Sequence, residues 1–180
     1  KVQGRGSQVL KQELLNFPVS GLTSYKELVD SLGLNSQTRV ISLDLMTVDE
    51  QTALQTGFPE GSQVWKLLRT RSIDGIVSVL DLDYLAKDCV PNLTQEIAQT
   101  SIYAHLEEEL GLDISYAQKE ITIQASTERE RLLMDNQDDY LVLIRSRVYL
   151  GDTRQFQYTE SRHKIDKFQL VDFARRKHSL

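Results

Sequence analysis

Cysteine is nearly absent from this 180-residue chain. Cys89 stands alone, so no internal disulfide can form, and no paired-cysteine zinc pattern is possible. With no histidine near it in sequence, Cys89 reads as a small buried apolar residue. A lone thiol fits a reducing compartment, the cytoplasm. Histidine is scarce too. His105, His163 and His178 form no His-x-x-x-His pair, so no metal site and no metal cofactor is expected. No apolar run approaches the length that spans a bilayer; "YLVLI" at 140–144 is among the longest, and no signal peptide is visible. There is no G-x-S-x-G elbow and no phosphate-cradling G-x-x-x-x-G-K loop. Nor is there a basic stripe. The formal net charge is −5, and the one basic cluster, "ARRKH" at 174–178, reads as a solvated tail. A membrane-spanning helix, a metal enzyme and a chain that grips DNA by its own charge are all disfavoured.

What is present is repetition. "LTSYKELVDSLGLN" (22–35) lies over "QTSIYAHLEEELGLD" (99–113), pairing Ser24 with Ser101 and Gly33 with Gly111. "VISLDLMTVDEQTALQTG" (40–57) lies over "EITIQASTERERLLMD" (120–135), each an alternating strand followed by a short helix with acidic residues at its start. "VWKLLRTRSIDG" (64–75) lies over "YLVLIRSRVYLGD" (140–152), which pairs Arg69 and Arg71 with Arg145 and Arg147. Asp74-Gly75 and Gly151-Asp152 read as hairpin turns. Each half is therefore helix, strand, helix, long hairpin. The pattern predicts an α+β fold: a mostly antiparallel sheet with packed helices and an internal pseudo-twofold repeat.

The candidate chemistry is that of binding, since nothing is arranged for catalysis. Ser24 and Ser101 each precede an amphipathic helix. Two readings stand: plain N-caps, or N-caps whose helix termini also receive an anion. Arg69 and Arg71 are two apart on a strand and share a face. They read either as surface salt bridges on the sheet or as a phosphate clamp. Asp81 lies on the return arm of the first hairpin, and Gln157 at the matching place in the second; both suit sugar hydroxyls. Strand alternation puts Gln157, Thr159 and Ser161 on one face, with Tyr158, Glu160 and Arg162 on the other, unless a bulge mixes them.

The chain opens with "KVQGRGSQVLKQE". Gly4 and Gly6 mark a turn with no first arm, so residues 1–10 read as the second half of a hairpin.

The phrases "GLTSYKELVDSLGL", "LLRTRSIDG", "VLDLDYL", "TSIYAHLEEELGLDISYAQKEI" and "QYTESRHKIDKFQLVDF" resemble the UTRA effector-binding domain of GntR-family, HutC-type bacterial transcription regulators. The resemblance covers roughly residues 20–173 and rests on order and spacing. "TESRHKIDKF" and "VDFARRK" look most like the trehalose operon repressors of that family. It implies a chorismate-lyase-like fold and a division into a wing stub (1–10) of a winged-helix domain, a linker (11–21) and an effector domain (22–180). It implies a sugar-phosphate effector, trehalose 6-phosphate, and a homodimer that meets operator DNA only through the preceding domain. By position it puts the phosphate on Ser24, the amide of Tyr25, Arg69, Arg71 and Ser101. It puts the sugar on Asp81, Gln157 and His163, with Glu160 sharing the role. Relatives often carry a glutamate and a tyrosine where this chain has Gln157 and His163. An enzyme of the chorismate-lyase type on the same fold, and a dimerisation module with an empty cleft, are the competing readings.

Overall fold

Two similar halves share one six-stranded sheet in the computed structural model, which describes residues 15–18 and 21–171. The expected wing stub, most of the linker and the basic cluster at 174–178 lie outside the described residues. The first half comprises helix α1 (Tyr25–Ser31), strand β2 (Ser36–Thr47), helix α2 (Glu50–Thr56) and the hairpin β3 (Gln63–Ile73)–β4 (Ile76–Ala86). The second comprises α3 (Gln95–Gln99), α4 (Ile102–Ala104), β5 (Ile114–Ala125), α5 (Glu128–Met134) and the hairpin β6 (Tyr140–Leu150)–β7 (Gln155–Lys164). The strand order is β2-β3-β4-β7-β6-β5, antiparallel throughout, so the two hairpins meet at the centre through β4 and β7. Strand β1 (Leu15–Pro18) pairs in parallel with β8 (Phe168–Val171) as a separate two-stranded sheet.

Local chemistry sets the element ends. Ser24 and Glu27 form a reciprocal capping box at the start of α1, and Thr127 and Glu130 do the same for α5. The β3–β4 turn has positive φ at both Asp74 (50°) and Gly75 (81°), the backbone of a tight hairpin turn that matches strand twist. Beyond α4 the chain widens into a π turn over His105–Glu109, with the amide of Leu110 bonded to the carbonyl of His105. The amphipathic helix expected after Ser101 is thus interrupted, and Leu106 is buried while Leu110 turns outward.

Each half lends a helix to the other. Met134 of α5 packs on Leu68 and Leu80 of the first half. The last carbonyls of α2 accept from Arg147 and Gln155 of the second. The main core gathers Leu67, Leu85, Leu106 and Phe156, all fully buried, each contributing about 1.5–3 kcal/mol by removal from water. The sheet face opposite α2 and α5 remains for α1 and α4, and the space between them holds the site.

Candidate functional site

A cavity of about 160 Å³ lies between this face of the sheet and the starts of α1 and α4. Period-two alternation brings Arg69 and Arg71 of β3, Asp81 and Asp83 of β4, and Gln157, Thr159, Ser161 and His163 of β7 to its wall. Ser24 and Tyr25 come from α1, and Ser101 caps α4. All the sequence-derived site residues except Glu160 therefore meet in one place.

The two arginines are buried and paired. Arg69 and Asp81 are opposite each other in register, yet the ion pairs run diagonally. Arg69 Nη2 meets Asp83 Oδ2 at 2.7 Å, and Arg71 Nε meets Asp81 Oδ2 at 2.5 Å. Arg69 Nη1 also donates to the carbonyl of Ala98 at 2.9 Å. These are ion pairs of the interior rather than of the surface, since both side chains are more than nine-tenths buried. The remaining acceptors are drawn in as well. Ser161 Oγ donates to Asp81 Oδ1 at 2.5 Å. Gln157 Nε2 donates to Asp83 Oδ1 at 2.8 Å, and its Oε1 accepts from the Tyr103 hydroxyl at 3.1 Å.

Electrostatics follow from burial and this pairing. Burial lowers the pKa of Arg69, with Arg71 adding repulsion, while Asp83 and Asp81 oppose both. Burial pushes Asp81 upward, but Arg71 and Arg69 outweigh it and hold the carboxyl below its usual range. His163 is fully enclosed, and burial lowers its pKa to about 4, so it is neutral at pH 7. Burial raises the Tyr25 and Tyr103 phenols. Ser24 Oγ accepts from the amide of Glu27, and Ser101 Oγ from the amide of Ala104, so both act as N-caps beside the cavity.

Two expectations need correction. Glu160 does not join the cavity. No register shift occurs between Gln157 and Lys164, so strict alternation turns Glu160 to the opposite face of the sheet. There it meets Arg162 at 2.6 Å and accepts from Gln55 and from the Tyr158 hydroxyl. Likewise, Arg145 and Arg147 are not counterparts of Arg69 and Arg71 in space. They face the Glu160 side, and Ile144, Ser146 and Val148 take the cavity positions of β6. The repeat brings arginines into the cavity from one half only.

Sequence reasoning missed Asp83, Tyr103 and Lys119. Asp83 was legible, being two residues from Asp81 on the same strand. Tyr103 and Lys119 depend on which segments the fold apposes, and nothing local marks them.

Residues 31–169 match the UTRA domain family. This chain belongs to the UTRA family. Over 177 residues it is 48% identical to the HTH-type transcriptional regulator TreR of Bacillus subtilis, covering 98% of this chain and 74% of that protein. It is 27% identical to the HTH-type transcriptional repressor NagR of the same organism, covering 98% and 72%. The solved effector-binding domain of the B. subtilis trehalose repressor TreR aligns with a TM-score of 0.71 at 45% identity, covering 79% of this chain and 99% of that one. PhnF from Mycobacterium smegmatis, at 20% identity and a TM-score of 0.76, shares the fold over 91% of this chain and 73% of its own. The UTRA chain is thus the effector-binding domain of a GntR-family, HutC-type transcriptional regulator closely related to TreR, a regulator domain and not an enzyme. Among the described residues no helix is long and apolar enough to cross a membrane, and no three His, Cys, Asp or Glu side chains are gathered to hold a metal ion.

Proposed function

We propose that the cavity binds a phosphorylated sugar, trehalose 6-phosphate, and that its occupancy relieves repression by weakening the regulator's hold on operator DNA. One observation carries this reading. In a chain of net charge −5, the cavity wall carries three cations (Arg69, Arg71 and Lys119) against two carboxylates (Asp81 and Asp83), while Lys26 at its edge is paired with Asp30. Such a local excess of positive charge favours an anion, and a phosphate monoester is one at pH 7. Asp81 takes Nε of Arg71 and Thr38 Oγ1 accepts from its Nη1 at 3.4 Å, which leaves Nη2 to meet phosphate oxygens. Ser24, the Tyr25 amide and Ser101 complete the phosphate end. Asp81, Gln157 and neutral His163 offer mixed donors and acceptors to sugar hydroxyls. The 48% identity to TreR, and the name trehalose repressor carried by its solved domain, support the choice of sugar.

In this reading residues 1–10 are the end of a DNA-binding wing, 11–21 the linker and 22–180 the effector domain of a cytoplasmic homodimer. An isologous dimer suits a palindromic operator. Calorimetry with trehalose 6-phosphate, trehalose and glucose 6-phosphate tests the ligand. The free disaccharide lacks the anion, so it should bind at least about a hundredfold more weakly. Equal binding of trehalose and its phosphate refutes the phosphate site. A gel-shift titration of the full-length regulator tests the output: operator affinity that ignores bound trehalose 6-phosphate refutes induction.

A further inference from the structure

We infer that Lys119 is an anion-recognition residue of this cavity and, through its bond to Gly21, the latch that links ligand binding to the segment leading into α1. The inference rests on the reading of the cavity as a sugar-phosphate site. It starts from position. Lys119 stands on β5 of the second half, opposite Ser146 of β6, and both line the cavity. It thus places a cation in a wall whose arginines all come from the first half.

Its bond ties the second half to the segment that leads into α1. Lys119 Nζ donates to the Gly21 carbonyl at 2.6 Å, across 98 positions of sequence. Gly21 immediately precedes Leu22, Thr23 and Ser24, which form the cavity rim at the start of α1. Burial lowers the lysine's pKa, a sign that its ammonium has given up part of its water. A partly desolvated ammonium gains more from a fully charged acceptor than from a peptide carbonyl, since charge-assisted hydrogen bonds between ions are roughly twice as strong as neutral ones. A phosphate beside Arg69 and Arg71 competes with Gly21 for Lys119. When it wins, the Gly21 carbonyl loses this tether.

The lead-in segment is held at a second point that also ends in the cavity. Strand β1 closes at Pro18, three residues before Gly21, and is paired with β8. The ring of Phe168, first residue of β8, packs 5.4 Å from the ring of His163 in the cavity wall. Ligand contact at Lys119 and at His163 therefore acts on the same stretch of chain from two sides. Such an effect is bounded by the ligand's differential affinity for the two arrangements.

Calorimetry on this 180-residue chain, with Lys119→Met and Lys119→Arg beside the wild type, tests the recognition role. Trehalose 6-phosphate should bind Lys119→Met at least about tenfold more weakly, and Lys119→Arg should recover most of the loss. Thermal melts identify a variant that fails to fold, and Lys119→Gln then replaces it. Hydrogen exchange tests the latch: without ligand, the amides of Leu22–Ser24 should exchange faster in Lys119→Met than in the wild type. An unchanged dissociation constant in a folded Met or Gln variant overturns the recognition role, and unchanged exchange overturns the latch. Inorganic phosphate separates this claim from the one beneath it. A wild type that takes phosphate and rejects trehalose 6-phosphate removes the sugar and keeps the lysine; equal responses to phosphate from wild type and Lys119→Met remove the lysine.

Discussion

The guanidinium of Arg71 lies over the ring of Tyr25, with Cζ 4.2 Å from the ring centroid. The tyrosine hydroxyl pairs with Ser36 Oγ at 2.8 Å, so the first residue of α1 is fastened to both β2 and β3. This contact orients the arginine whose Nε is already committed to Asp81. It also separates two effects. Tyr25→Phe keeps the stacking and loses the hydrogen bond, which should cost about 1 kcal/mol of stability. Tyr25→Leu loses both, about 2–3 kcal/mol in total for a desolvated pair. Urea unfolding of the two variants decides the matter. Equal stability of Phe and Leu at this position would show that the stacking contributes nothing.

Arg69 is not an ornament on a fold that stands without it. Its partners, the Asp83 carboxylate and the Ala98 carbonyl, lie inside the protein. Asp83→Ala should strand a buried guanidinium and cost about 3–5 kcal/mol, and Arg69→Ala should cost a similar amount by stranding the carboxylate. Because the two losses share one interaction, the double change Arg69→Ala with Asp83→Ala should cost clearly less than the sum of the single changes. Denaturant titrations of the three variants measure this coupling; strict additivity is the result that refutes a mutually dependent pair.

Much of this arrangement was legible in the sequence, and the illegible part has a definite cause. The capped helices, the Asp74-Gly75 turn and the order of elements follow from local signals. The repeat was real, but its arithmetic carried a warning. The serine and glycine pairs are 77 and 78 residues apart, whereas Arg69 and Arg145 are 76 apart. In a strand, a shift of one residue exchanges the two faces. Strands β3 and β6 correspond at 77, Gln63–Ile73 to Tyr140–Leu150, and their register irregularities at Arg71/Ser72 and Val148/Tyr149 keep that offset, so Arg69 corresponds to Ser146. On the far side Arg147 consequently supports α2 and Arg145 pairs with Glu120 and Glu160, while Ser146 takes the cavity position. The lysine of β5 had no comparable sign, because its contact with Gly21 exists only in the folded chain.

Alternation on β7 yields a sharp contrast between neighbours. Glu160 holds Arg162 and Gln55 on the face away from the cavity, and Arg145 stands 3.5 Å from it. Glu160→Ala should therefore lower stability by about 2–4 kcal/mol, since it leaves a half-buried cation cluster short of its carboxylate, while sugar-phosphate affinity stays within about twofold. Gln157→Ala should do the reverse on the binding axis, weakening sugar-phosphate affinity about tenfold through lost hydrogen bonds. Paired melts and calorimetry test both. A large affinity loss in Glu160→Ala would return that residue to the site.

His163 gives the domain a pH dependence in a window of its own. Burial holds its folded pKa at about 4, against an ordinary value near 6.5 in the unfolded chain. Asp81 pulls the value up and Arg71 pushes it down, but enclosure dominates. The folded protein thus keeps this ring neutral while the unfolded chain takes up a proton. Stability attached to the ring is complete above about pH 6.5 and is lost as the pH falls toward 4, on the order of 3 kcal/mol in all. Carboxylates such as Asp81, held below their usual range, act in the same direction at lower pH, as the unfolded chain protonates first. The histidine therefore dominates between pH 6.5 and 5. His163→Gln keeps a polar side chain of similar reach and removes the titration. Its urea midpoint should change much less over that interval than that of the wild type. Parallel slopes for the two proteins would mean that the buried ring does not titrate as this enclosure requires.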